Sequence, residues 1–269
     1  MFRKKRKKKE TNSLVIASYN ILSGGEDRLG YISNVIRKIN PDICGILEAV
    51  GWQKRKLYFK KFTNNLGYKF FTIATGNSKY NIAFFSKESI EVKVIKKRIR
   101  HVILQAGITC GPFKGLSIFF VHFSPVSEAE RLLETEELFK HVSKLNSSII
   151  LGDINSLSAS DPYNRKKLLD ILRKKNISKF GTDKLLFDVV KEFESMGLVD
   201  AARHLKYPFT FTTPTPSNKD FTHAANLRLD YAFLSKNVLK SLKKIKILKN
   251  KITNEASDHY PLIIKLSKQ

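Results

Sequence analysis

Short apolar runs that each stop at a polar residue set the rhythm of this chain. Ile149, Ile150 and Leu151 lead through Gly152 to Asp153, with Asn155 two positions on. Period-two alternation places Asp153 and Asn155 on one side of an extended backbone and Ile154 on the other. The pattern recurs. Residues 13–22 read as a strand whose first strongly polar residue after the apolar run is Asn20, 43–47 ends in Glu48, and LSIFFVH reaches His122 before Phe123-Ser124-Pro125. In NLRLDYAFL (226–234) alternation puts Arg228, Asp230 and Ala232 on one face and Leu229, Tyr231 and Phe233 on the other. A charged Asp in such a strand needs a partner. Asp258 and His259 stand just ahead of the last apolar run, 262–266. Any one of these residues alone reads as well as a solvated turn; only the set points to a site.

Helical spacing separates the runs. Leu29, Ile32, Val35, Ile36 and Ile39 predict a helix over 29–39, stopped by Asn40-Pro41-Asp42. A basic helix is expected over 54–66. The clearest helix is 127–145, where Ser127 and Glu130 form a capping box and Leu132, Leu133, Leu138, Phe139 and Val142 form a stripe. Arg131 pairs there with Glu128 or Glu134. Further helices are expected over 165–174 and 185–196, and strands over 69–75, 81–86, 90–95, 101–110 and 242–248. The stretch 204–220, rich in Pro, Thr and Phe, reads as a loop.

Composition places this pattern in a large folded core: 42% of the 269 residues are hydrophobic, including 19 Phe and 9 Tyr. One domain over 13–269 is expected, behind a flexible basic arm over 1–12. Net charge is +25, and +18 remains without the seven consecutive cations Arg3–Lys9. The body itself therefore favours polyanions or anionic surfaces. Cys44 and Cys110 both have apolar sequence neighbours and read as free buried thiols, which excludes a disulfide framework or a thiolate metal centre. No apolar run approaches the roughly 20 residues of a membrane span. The apolar stretch after the arm has no signal-type cleavage site, so a cytoplasmic protein is expected; a monomer is expected as well.

Asn20, Glu48, His122, Asp153, Asn155, Asp230, Asp258 and His259 form an oxygen-rich set with two histidines and no HExxH, CxxC or P-loop spacing. Carboxylates without cysteine favour Mg2+ or Mn2+ over zinc. A hard cation, amides and a His-Asp pair together supply what phosphate-ester hydrolysis requires.

The segments SYNI (18–21), PDICGILEA (41–49), YNIAFFSK (80–87), VHFSP (121–125), ILGDINS (150–156), RLDYAFLS (228–235) and SDHYPLI (257–263) carry a definite resemblance. In this order they resemble the endonuclease/exonuclease/phosphatase superfamily, which includes DNase I, apurinic endonucleases, inositol polyphosphate 5-phosphatases and neutral sphingomyelinases. That resemblance implies an α/β four-layer sandwich, with two mostly antiparallel β-sheets face to face and helices outside. It also implies a metal set of Glu48, Asn20 and Asp258 holding Mg2+, a catalytic set of His122, Asp153, Asp230 and His259, and phosphate contacts from Asn20, Asn155 and Arg28. His122 is similar to the histidine of the DNase I, phosphatase and sphingomyelinase branches, whereas the apurinic endonuclease branch usually has Tyr-x-Pro-Asn in this region. The expected function is a Mg2+-dependent phosphodiesterase of nucleic acid. The alternatives are hydrolysis of inositol phosphates or anionic lipid headgroups, or a noncatalytic polyanion-binding module that keeps the fold.

Overall fold

A computed structural model describes residues 12–218 and 220–268; the expected basic arm falls, apart from Asn12, outside the described residues. The chain opens with β1 (Ser13–Asn20), α1 (Leu29–Ile39), β2 (Ile43–Leu47) and α2 (Lys56–Asn65). Next come β3 (Phe70–Ala74), β4 (Ile82–Ser86), β5 (Glu91–Ile95), β6 (Ile103–Gly107) and β7 (Ser117–His122). They lead to α3 (Glu128–Val142), β8 (Ser148–Asp153), α4 (Arg165–Lys174), α5 (Asp188–Ser195), β9 (Val199–Asp200) and α6 (Ala201–His204). The last elements are β10 (Asp230–Leu234), α7 (Lys236–Leu239), β11 (Leu242–Ile247), α8 (Lys251–Ala256) and β12 (Leu262–Ser267).

The strands form two six-stranded sheets, in spatial order β11-β12-β1-β2-β4-β3 and β5-β6-β7-β8-β10-β9. Each sheet is antiparallel except for one parallel pair, β1 with β2 and β7 with β8. A parallel pair needs a crossover, which α1 and α3 supply.

Strand alternation sorts the core into layers. Ile16, Ile43, Leu47, Phe84, Phe120, Leu151, Ala232 and Ile264 pack between the sheets. Their outward neighbours Ala17, Tyr19, Cys44, Ile46 and Phe85 pack with Ile32, Val35 and Ile36 of α1 and Phe59 of α2. On the opposite face Phe119, Val121, Ile150, Tyr231 and Phe233 meet Leu138 of α3 and Val190 and Phe193 of α5. The result is the four-layer sandwich, helices outside and sheets face to face. Gly45 permits the close approach of the sheets, since a Cβ there would lie 2.1 Å from the Phe120 ring.

Several expected elements differ at their edges. The 54–66 helix starts earlier, as a 3-10 turn over Trp52–Arg55 that runs into α2. The 101–110 strand ends at Gly107, so Cys110 lies in the following turn and is exposed; its apolar neighbours in sequence are not its neighbours in space. The 226–234 strand begins only at Asp230, because Thr212 Oγ1 accepts the N–H groups of Leu229 (3.0 Å) and Asp230 (3.1 Å) in place of a ladder partner. Helix α8 has little apolar periodicity to announce it and is set by a capping box between Asn250 and Thr253. No helix among the described residues is long and apolar enough to cross a membrane.

Candidate active site

The inward-facing positions of the central strands are apolar in mid-strand and polar at one end. Ile118, Phe120 and His122 share a face of β7, and Ile149, Leu151 and Asp153 share a face of β8. The parallel register sets His122 beside Asp153, and the antiparallel register sets Asp230, first residue of β10, opposite Asp153. In the other sheet β1 and β2 run parallel to Asn20 and Leu47, with Glu48 next, while antiparallel β12 begins near the end of β1 and carries Asp258 and His259 just before it. Strands that end and strands that begin thus meet at one edge, over one end of the inter-sheet core.

Asp153 is central there. Its Oδ2 lies 3.4 Å from Asn20 Nδ2, 3.7 Å from His259 Nε2 and 3.9 Å from His122 Nε2. Glu48 Oε1 accepts from Asn20 Nδ2 (3.1 Å) and lies 3.8 Å from His122 Nε2, while its Oε2 accepts the Ser23 N–H (2.9 Å). His259 Nδ1 donates to Asp230 Oδ2 at 2.7 Å, which directs Nε2 toward Asp153. Asn20 presents its amide nitrogen to both carboxylates, since its oxygen accepts from the Leu22 N–H. All these groups are buried except Glu48, whose side chain is 13% exposed.

Burial acts differently on each group. It pushes the Asp153 carboxyl up to about 7, with the Asp230 charge adding to the rise and His259 opposing it. Glu48 is also raised by burial. Burial would lower His259, but Asp230, Asp153 and Asp258 override it and hold this imidazole up at about 10. His122 lacks so close a carboxylate; burial and the cationic neighbourhood hold it well below the usual histidine range. Burial would raise Asp258, yet His223 and His259 draw it down to about 2.

Two site residues take left-handed backbone, Glu48 at φ 58° and Asn155 at φ 50°. Both follow a strand directly or nearly so, and such conformations concentrate at functional sites. Asn155 is fixed there by its own N–H, which donates to Asp153 Oδ1 (2.8 Å), and by Nδ2, which donates to the Phe123 carbonyl (3.1 Å). Gly24 donates its N–H to the Glu48 carbonyl (2.7 Å), and at φ 78° a Cβ would lie 2.3 Å from the Val50 carbonyl oxygen. Arg28 stands apart from the other expected phosphate contacts: its guanidinium donates to the carbonyls of Ala256 and Leu22, both at 2.7 Å.

The fold also brings in residues that no strand-end pattern marks. Four of the six histidines gather here, His101 stacking on His122 at 4.6 Å and His223 standing 3.5 Å from Asp258 Oδ2. Lys179 reaches Asn155 Oδ1 (3.4 Å) and Thr222 Oγ1 (3.0 Å). The scarcity of histidine in so basic a chain is the one sequence signal that picks out His101 and His223. Lys179 has none, being one among 49 basic residues.

Two groups have ligand atoms close enough for a metal ion: Asp153, Asp230 and His259, and His223, Asp258 and His259. Glu48 falls outside both groups. The donor chemistry fits a hard divalent cation on the side where Glu48, Asp153 and Asp230 supply carboxylate oxygens, because both cysteines lie elsewhere and burial penalises the charges of Glu48 and Asp153 in a way that a cation would relieve. The His223, Asp258 and His259 group is mostly imidazole.

A model of the Endonuclease/Exonuclease/phosphatase family matches residues 17–259. No curated protein sequence matches the chain. Among solved structures, the 3′ phosphatase NExo from Neisseria, bound to a product DNA hairpin, is 17% identical, with 95% of this chain and 100% of that one covered at TM-score 0.71. An AP endonuclease from Archaeoglobus fulgidus is 16% identical, with 93% and 98% covered at TM-score 0.71. D. rerio TDP2 complexed with a single-strand DNA product is 15% identical, with 95% and 99% covered at TM-score 0.66. At such identities the likeness is one of fold.

Proposed function

The chain belongs to the endonuclease/exonuclease/phosphatase family, and on that basis we propose that it is a Mg2+-dependent phosphodiesterase acting on nucleic acid. The observation that carries the reading is the convergence of Asn20, His122 and His259 on a single oxygen of buried Asp153, with Glu48 adjoining and Asp230 behind His259. The +25 charge favours a polyanionic substrate, a preference that inositol phosphates and anionic headgroups share.

Glu48, with Asn20 hydrogen-bonded to it and Asp258 acting on it through space, would hold the ion, Asn20 by turning its amide oxygen inward. The two tighter groups both depend on His259, which as an imidazolium has no lone pair to give. When bound, the ion neutralises charge developing on the phosphoryl oxygens. Asp153 takes a proton from the attacking water, its carboxylate held in place by the Asn155 N–H on Oδ1 and Asn20 Nδ2 beside Oδ2. His259, raised to about 10, is an imidazolium near neutral pH. It therefore stabilises phosphoryl charge, while Asp230 keeps its Nδ1–H bound and its Nε2–H pointed into the site. His122, held neutral, offers a hydrogen bond to the transition state. The free amide hydrogen of Asn155 binds a phosphoryl oxygen.

The test is a parallel assay on DNA, RNA, inositol phosphates and sphingomyelin with Mg2+ and with EDTA. Turnover of DNA or RNA is expected, with loss in EDTA. Asp153→Asn and His259→Ala should each lose roughly 10²-fold or more in rate while remaining folded. Preferred turnover of an inositol phosphate or sphingomyelin would overturn the substrate class, and inactivity across the panel would overturn the enzyme.

A further inference from the structure

Lys179 lies between α4 and α5, and its side chain is among the most enclosed cations in the molecule, 5% exposed. Burying an ammonium is costly unless an anion answers it. Its hydrogen-bond partners are neutral: Nζ donates to Thr222 Oγ1 at 3.0 Å and reaches Asn155 Oδ1 at 3.4 Å. Among the described residues it forms no ion pair, and burial lowers its proton affinity against the opposing pull of Asp220, Asp153 and Asp258 through space. A structural lysine in this setting would close on one of those carboxylates.

Its position is fixed from behind. Arg131, fully buried, donates from Nε to Ser156 Oγ (2.8 Å) and from NH2 to the Lys179 carbonyl (2.5 Å). One guanidinium thus binds the residue after Asn155 and the backbone of Lys179 into one frame. An ammonium has three N–H donors and a side-chain amide two. Lys179 uses two of its three and Asn155 one of its two, so each keeps one donor. Solvent is close, since Phe221, next to the anchoring Thr222, is 74% exposed.

We infer that Lys179 is the phosphate-binding cation of this site, its ammonium and the Asn155 amide together holding a non-bridging phosphoryl oxygen. This inference rests on the phosphoesterase reading of the same site. It supplies a positive charge on the Asn155 side of Asp153. Lysine suits that task as a compact charge with rotatable donors.

The decisive experiment titrates inorganic phosphate into the full-length chain with Mg2+, by calorimetry, for wild type, Lys179→Met and Thr222→Val. Methionine keeps the length of the side chain and removes the charge. Lys179→Met should bind phosphate at least about tenfold more weakly, the loss of a charge-assisted bond, and Thr222→Val should lose less. Bis-p-nitrophenyl phosphate turnover should fall in kcat/KM in the same order. Equal phosphate affinity in wild type and Lys179→Met overturns the inference, as does a wild type that binds no phosphate. If Lys179→Met does not fold, unchanged affinity in Thr222→Val overturns it. Lys179-dependent phosphate binding without any hydrolysis sustains the inference and removes the hydrolase reading, while full kcat/KM in Lys179→Met does the reverse.

Discussion

His122 and His259 are the same residue type, both buried within 4 Å of Asp153 Oδ2, yet their proton affinities diverge. The difference is Asp230, bonded to His259 Nδ1 at 2.7 Å, while His122 Nδ1 is buried without a hydrogen-bond partner. An ordinary histidine titrates near 6.5, and His259 is held at about 10. A histidine raised in the fold contributes stability that is complete below its unfolded pKa and is lost as pH rises through its folded one. Asp230→Asn should therefore lower stability most below about pH 6.5, and the gap to wild type should close as pH approaches about 10. Urea midpoints across this range check it; a gap independent of pH would show that Asp230 does not act through the charge of His259.

At the scale of elements, α3 organises the loops behind the site as well as covering a sheet. Ser127 caps it by accepting from the Glu130 N–H (3.2 Å), but the expected reciprocal half of the box is absent among the hydrogen bonds of Glu130, whose carboxylate turns to Ser124 and Arg100. The Arg131 pairing resolves to Glu128 at 2.8 Å. Glu134, buried in the next turn, accepts the N–H of Ser124 (2.7 Å) and of Arg100 (2.8 Å), one on each oxygen. Those two residues flank the His122 and His101 stack in sequence. Glu134→Gln keeps one acceptor for two N–H groups. It should cost about 1–3 kcal/mol in chemical denaturation if the N–H of buried Ser124 is the one released, and less if it is that of Arg100, an exposed residue. A change near zero would mean that the loops are held by their other contacts.

At the scale of the whole molecule, one parallel pair in each sheet brings four strand exits to the same edge, and antiparallel β10 and β12 start there. The charge of the molecule works at longer range. The seven cations of Arg3–Lys9 are proposed to add salt-sensitive contacts to a polyanion beyond those of the body. Deleting residues 1–12 should weaken duplex DNA binding and make log K fall less steeply with log salt, by about 0.9 for each phosphate that the arm no longer neutralises. Affinity and slope that match the intact chain would assign binding to the body alone.

Local pattern by itself determined the strands, the main helices and the polar group at each strand end, because side-chain alternation and helical spacing are written in consecutive residues. It reached α1, β2 and α4 to the residue. Membership in an ordered set of motifs then made Glu48, His122, Asp153, Asp230 and His259 legible as one site. Tertiary structure alone decided what depends on distant partners. Arg28 is spent on two carbonyls, Cys110 faces solvent, and Lys179 and His223 enter the site from loops with no periodicity. The opposite proton affinities of the two central histidines belong here too, since Asp230 lies 29 residues from His259 and only sheet packing sets it behind that ring and not behind His122.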